Sequence, residues 1–145
     1  MFVFLVFSYG LFSFEAGLTI GTVTNPSRTN YGLSGGMGFL VPMVKFEIEI
    51  YRKSDTEALD PKNAVTTGIK FRPRLGKFGP YAVIGIGTEF NSLGFDFDEY
   101  ENFSFIGGGV HYYLAGIISL RADIRFLNYS GYNRTRFTAG LFFHF

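Results

Sequence analysis

Only a few residue types in this chain can carry reaction chemistry. There are two histidines, His111 and His144, and no cysteine, so thiolate nucleophiles, thiolate metal sites and disulfides are excluded. Acyl hydrolysis needs a serine and a histidine within hydrogen-bond reach. Ser104 lies seven positions before His111 in one apolar run, too far along an extended strand at about 3.3 Å per residue. No catalytic residue is therefore assigned. The segment Phe95, Asp96, Phe97, Asp98, Glu99, Tyr100, Glu101 alternates aromatic and acidic residues. Its carboxylates are ligands of a kind that suits a hard cation, but their spacing does not follow the known calcium-loop pattern. No metal and no cofactor is expected, and the segment reads as a surface loop with a tip suited to an external ligand.

The remaining charged residues are spaced at period two. Glu15, Lys45, Glu47, Glu49, Lys70, Arg72, Arg74, Glu89, Arg121, Asp123, Arg125 and Arg136 each fall in an alternating segment, and within each segment they keep one parity. The opposite parity is apolar, as in Val44, Phe46, Ile48 and Ile50 or Phe137, Ala139, Leu141 and Phe143. Strict alternation predicts strands. Eight are expected: 14–23, 31–41, 44–51, 65–75, 81–90, 103–114, 118–129 and 136–145. The connections "PM", "GKFGP" and "AGI" are short, and "TNPSRTN", "RKSDTEALDPKNA", "NSLGFDFDEYEN" and "SGYNR" are longer and polar. Short turns at one end, longer loops at the other and an even strand number describe an antiparallel transmembrane up-and-down β-barrel of the bacterial outer membrane.

Length and composition agree. One domain is expected from 145 residues, and the formal net charge of +1 excludes the basic surplus of a nucleic-acid binder. Residues 1–13 carry no charge and read as a signal-peptide segment, leaving 14–145 as the barrel.

Alternation alone does not say which face is inside, but volume does. Eight strands enclose a lumen just wide enough for side chains to fill, and about five large apolar residues from every strand would overpack it. The charged parity is also rich in glycine (Gly17, Gly36, Gly38, Gly85, Gly87, Gly107, Gly109 and Gly140). That costs strand stability on a solvated face but makes room in a narrow interior. The apolar face is therefore expected to meet outer-membrane lipid, and the charges to form a lumen network. Glu47 and Glu49 are expected to face Lys70 and Arg72, because their strands are sequence neighbours.

With those residues in view, the chain resembles the small eight-stranded outer-membrane β-barrel proteins of the OmpA transmembrane-domain and OmpX type. The resemblance rests on the terminal alternation of Phe137, Ala139, Leu141, Phe143 and Phe145, and on "GPYAVIGIG", "GGGVHYYL" and "SLRADIRF". It implies that Phe137, Leu141, Phe143 and Phe145 act as an assembly signal read by the barrel-assembly machinery. The expected role is non-enzymatic, structural or surface-interacting, with an extracellular ligand at the long loops. A small-solute channel and a lipid-modifying barrel enzyme are the alternatives.

Overall fold

The computed structural model of the chain describes residues 12–25, 27–39, 43–54, 63–90 and 100–145. Eight strands, β1 (Phe12–Val23), β2 (Arg28–Phe39), β3 (Val44–Lys53), β4 (Asn63–Phe71), β5 (Phe78–Phe90), β6 (Glu101–Ala115), β7 (Ile118–Tyr129) and β8 (Tyr132–His144), pair in sequence order. The sheet closes as β8 pairs with β1. All pairings are antiparallel. Phe14 and Phe145 exchange backbone hydrogen bonds of 3.0 and 2.8 Å, which extends the β1–β8 seam. Closure leaves no open ladder edge, which hydrocarbon would not tolerate.

The side chains sort by parity. Leu18, Ile20, Ile48, Ile84, Ile86 and Ile106 point outward with more than half their surface exposed, Ile84 at 61%. On β5 the outward apolar residues run from Phe78 to Ile86. Nine residues at about 3.3 Å rise, tilted about 40°, stand about 23 Å tall. That matches the apolar band of about 25 Å on a lipid-embedded barrel. Arg52 departs from the expected uncharged outer face. β3 runs two residues beyond Tyr51, so Arg52 points outward near the loop end, where a long side chain can reach the interface.

Several boundaries differ from the sequence expectation. β1 begins at Phe12, so Phe12 and Ser13 lie in the barrel wall, while the rest of the expected leader lies outside the described residues. β4 stops at Phe71 instead of Leu75, because Pro73 cannot donate to a ladder. Leu75 and Phe78 then bridge a tight turn through Gly76 at φ 63°. The stretch "SGYNR" is not a long loop. Tyr129 and Tyr132 are directly paired, and Ser130–Gly131 is a two-residue turn with Gly131 at φ 101°, a positive φ at the second central position that favours glycine.

The lumen is filled by aromatics as well as charges. Tyr81, Val83, Phe103, Phe105, Leu127 and Tyr129 form one buried cluster. Three rings lie over glycines directly opposite them across a ladder: Phe103 over Gly87, Phe105 over Gly85 and Phe142 over Gly17. A Cβ at Gly87 would sit 2.3 Å from the Phe103 ring. Gly87→Val is therefore expected to cost about 1–3 kcal/mol through overpacking. Phe103→Leu in the same chain should recover part of that loss in a urea titration of the lipid-inserted protein. Equal loss in the single and double variants would place the strain elsewhere.

Candidate functional site: a charged lumen

Among the described residues, most ionisable side chains lie inside the barrel. Glu15, Lys45, Glu47, Glu49, Lys70, Arg72, Glu89, Arg121, Asp123, Arg125 and Arg136 are all buried. Arg74 is the correction. With β4 ending before Pro73, it sits exposed in the turn, its guanidinium 4.1 Å from the Tyr113 ring centroid. Three inward bases beyond the expected set are also buried, Arg28, Lys53 and Arg134. They continue the parity of Asn30, Glu49 and Arg136, but the sequence places them in segments that resemble polar loops.

The charges form layers along the barrel axis. In the middle, Glu47, Glu49 and Asp123 meet Arg121, Arg125 and Arg136. Arg125 donates to Glu47 at 2.5 Å and to Asp123 at 3.0 Å, and Arg121 donates to Glu47 at 3.0 Å. Arg136 donates to Glu49 at 2.5 Å. The guanidiniums also lie on rings, Arg136 at 3.9 Å over Tyr51 and Arg121 at 4.3 Å over Phe142. Planar cations are suited to such double use. Toward the loops, Lys53 donates to Glu89 at 2.7 Å and Tyr129 donates to the same carboxylate at 2.5 Å. Toward the opposite end, where β1 begins, Lys70 and Arg72 donate to Glu15 at 2.9 and 2.5 Å.

The expected pairing of β3 carboxylates with β4 bases is half right. Lys70 does pair with Glu47. Arg72, however, reaches Glu15 on β1 across the lumen, and Glu49 takes Arg136 on β8. The ladder register puts Glu49 opposite Thr66 and Lys45 opposite Lys70. Long side chains therefore find partners across the barrel, which strand adjacency in sequence cannot foretell.

Both histidines lie at the end of the barrel where β1 begins and β8 finishes. Ser104 points outward and meets neither; the serine that does is Ser119. Its Oγ is 2.9 Å from His111 Nδ1 and 2.7 Å from His144 Nε2, and His144 Nδ1 lies 3.6 Å from Glu15. Ser119, His144 and Glu15 thus share the atom order of a hydrolytic triad. Ser119 nevertheless has no exposed surface, and its single hydroxyl is already held between two imidazoles. Ser119 sits in register with Tyr113 and Phe142 on the flanking strands, so its backbone is within the wall. The arrangement ties β6, β7 and β8 together.

Among the described residues no group of three His, Cys, Asp or Glu could hold a metal ion. Residues 95–99 of the acidic loop lie outside the described residues. Tyr100 packs on Phe90 with centroids 6.0 Å apart, and Glu101 accepts a hydrogen bond from Tyr132. Phe137, Leu141, Phe143 and Phe145 all point outward, Phe145 with 78% of its surface exposed.

No protein-family model matches the chain, and no curated protein matches it. Solved structures do. The N-terminal β-barrel domain of Pseudomonas aeruginosa OprF aligns at 18% identity with a TM-score of 0.72, covering 92% of this chain and 97% of that one. The outer-membrane protein OprG of the same organism aligns at 13% identity and a TM-score of 0.58, covering 92% and 95%. Neisserial surface protein A aligns at 14% identity and 0.57, covering 91% and 96%. At these identities the likeness is one of fold: a closed, eight-stranded antiparallel barrel of the outer-membrane type.

Proposed function

We propose that this chain is a non-enzymatic barrel of a bacterial outer membrane whose lumen is sealed by its own ion-pair network. Its work would then be structural or surface-interacting, carried by the wall and by the loop end. The observation that supports this best is the filling of the lumen. Arg121, Arg125, Arg136, Lys70, Glu47 and Glu49 have at most 2% of their surface exposed, and together they span the interior where a solute would pass. A belt of exposed Leu, Ile and Phe about as tall as a bilayer core is a poor fit to water and a good one to lipid.

Planar-bilayer recording tests the sealed lumen: the purified protein should insert without stepwise conductance. Reproducible, ion-selective steps would favour the small-solute channel instead. The lipid-modifying alternative predicts altered lipid A in cells that express the protein. Mass spectrometry should show no change, as expected where Ser119 is enclosed.

The outward aromatics of β8 are read as the segment that the barrel-assembly machinery engages. Deleting Phe145 should lower the amount of barrel in the outer membrane of cells more than it lowers stability after refolding in vitro. The backbone bonds that Phe145 makes with Phe14 are few beside the full ladder of β8. Normal membrane levels of the truncated chain would remove that role. An external ligand, if engaged, would meet residues 54–62 and 91–100, which separate the strands at the loop end.

A further inference from the structure

The connections at the two ends of the barrel differ in the sign of their charge. At the loop end, residues 54–62 and 91–100 hold six acidic residues and a single base, Lys62. At the end where β1 begins, residues 40–43 and 115–117 carry no charge. Among the described residues, the exposed ionic groups of that end are Arg74 and Lys77, both in the turn between β4 and β5. The carboxylate of that end, Glu15, is buried and already taken by Lys45, Lys70 and Arg72. Arg74 and Lys77 are therefore left without a counter-charge from the described residues.

The turn holds the pair outward. Leu75 and Phe78 exchange backbone hydrogen bonds of 2.7 and 3.1 Å around Gly76, so the amides of Gly76 and Lys77 stand outside the ladder. The Arg74 guanidinium rests on the Tyr113 ring and donates through Nε to the Gly76 carbonyl at 3.4 Å, which leaves its two terminal nitrogens as further donors. A Cβ added at Gly76, between the two cations in sequence, would meet nothing within 4 Å, so the space beside the turn is open. Apolar surface surrounds the cations. Leu75 is 64% exposed, and Met43, Leu114 and Ile117 at the same end are exposed as well. Phe78, which starts the outward apolar row of β5, packs on Tyr112 with centroids 5.2 Å apart. Exposed cations set among apolar and aromatic side chains are the pattern of a surface lying in the headgroup layer of a bilayer.

We propose that the β4–β5 turn binds the phosphodiester headgroup of an anionic phospholipid. Arg74 presents its terminal nitrogens and Lys77 its ammonium to the phosphate oxygens, while Leu75 and Phe78 meet the acyl chains. Charge complementarity selects this occupant. Two cations without a carboxylate, at the foot of an apolar wall, match an anionic head on apolar chains; a soluble anion has nothing to set against Leu75. The proposal rests on the reading of the protein as a lipid-embedded barrel, and adds which lipid class is retained and where.

The test uses the full chain, which has no tryptophan of its own. Phe78→Trp places an indole beside the turn, and Ile86→Trp places one at the other end of the same outward row. Each variant is refolded into two sets of equimolar vesicles: brominated phosphatidylglycerol with plain phosphatidylcholine, and plain phosphatidylglycerol with brominated phosphatidylcholine. The ratio of the two quenching values reads which lipid lies against the indole. At Phe78→Trp phosphatidylglycerol should be favoured by about fivefold or more, the worth of one cation near an anionic surface. At Ile86→Trp the two lipids should quench alike. Adding Arg74→Gln or Lys77→Gln to the Phe78→Trp chain should reduce the preference, and adding both should abolish it, whereas Lys77→Arg should retain it. Lys77 is tied to the fold through its backbone carbonyl, which accepts from the Tyr113 amide at 2.8 Å, so changes to its side chain leave that tie in place. Equal quenching by the two lipids at Phe78→Trp, a preference that survives the joint loss of both cations, or the same preference at Ile86→Trp overturns the proposal and leaves the barrel in lipid. Quenching by neither lipid at either indole overturns the membrane reading and the proposal with it.

Discussion

Glu49→Gln is expected to destabilise the barrel by about 3 kcal/mol, the lower range for breaking a buried ion pair from one side. Glu49 has no exposed surface. Arg136 lies 2.5 Å, Arg125 3.3 Å and Arg121 3.7 Å from its carboxylate, and Thr19 donates to it at 3.1 Å. Removing its charge leaves guanidiniums without their counter-charge in a site that water reaches poorly. Arg136→Gln should cost a similar amount, although Arg136 also donates to Asn30 at 3.2 Å. The double variant should be less damaged than the sum, because each change removes the charge that the other stranded. The informative partner is Arg136 and not Arg72, which contacts Glu15. A urea titration of all four proteins in lipid vesicles measures the coupling. Additive effects of about 0–1 kcal/mol each, the behaviour of solvated pairs, would show that the lumen is open to water.

The second large effect is expected on the opposite face. Ile84 is the middle residue of β5, is 61% exposed and is paired with Ile69 and Ile106. Ile84→Arg puts a charge inside the apolar band of β5, two residues from the centre of that band, at a cost of about 2–4 kcal/mol. Leu120 is the third residue of β7, near the end of the barrel where β1 begins. Leu120→Arg should cost less, since the penalty falls toward the interface. Thr138→Ser, on the inward face, keeps the hydroxyl that bonds Asp123 and loses a methyl group, for under about 1 kcal/mol. The same vesicle titration ranks the three. A Thr138→Ser loss as large as that of Ile84→Arg would contradict the assignment of faces.

Much of this was legible from period-two alternation, because one residue type was reserved for each face. β3 is the clearest case: Lys45, Glu47 and Glu49 alternate with Phe46, Ile48 and Ile50, so strand, faces and the inward carboxylates follow from ten residues. β8 was harder. Asn133 and Thr135 are polar on the outward parity because they lie near the loop end, where polar groups meet the interface. The first four residues of the strand, with inward Arg134, therefore resemble a loop. The inward aromatics were hidden by the rule that exposed the charges. Phe142 shares the parity of Arg136 and Thr138, yet it follows Leu141 and precedes Phe143, and the run reads as uniformly apolar. Only the ladder shows that Phe142 covers Gly17. Ion partners across the lumen depend on barrel closure, and Ser119 could be matched to His144 only once β7 and β8 were in register.

The most direct test of the account asks which parity touches lipid. The chain contains no tryptophan, so a single introduced indole reports one position. Tryptophan placed in turn at Leu120, Ala122 and Ile124 on β7, and at the inward positions Leu127 and Phe105, is read in vesicles whose acyl chains carry bromine, a contact quencher. Strong quenching is expected at the three outward positions and little at the two inward ones. Quenching of both sets alike, or of the inward set alone, would contradict a barrel with its charges inside and its apolar wall in lipid.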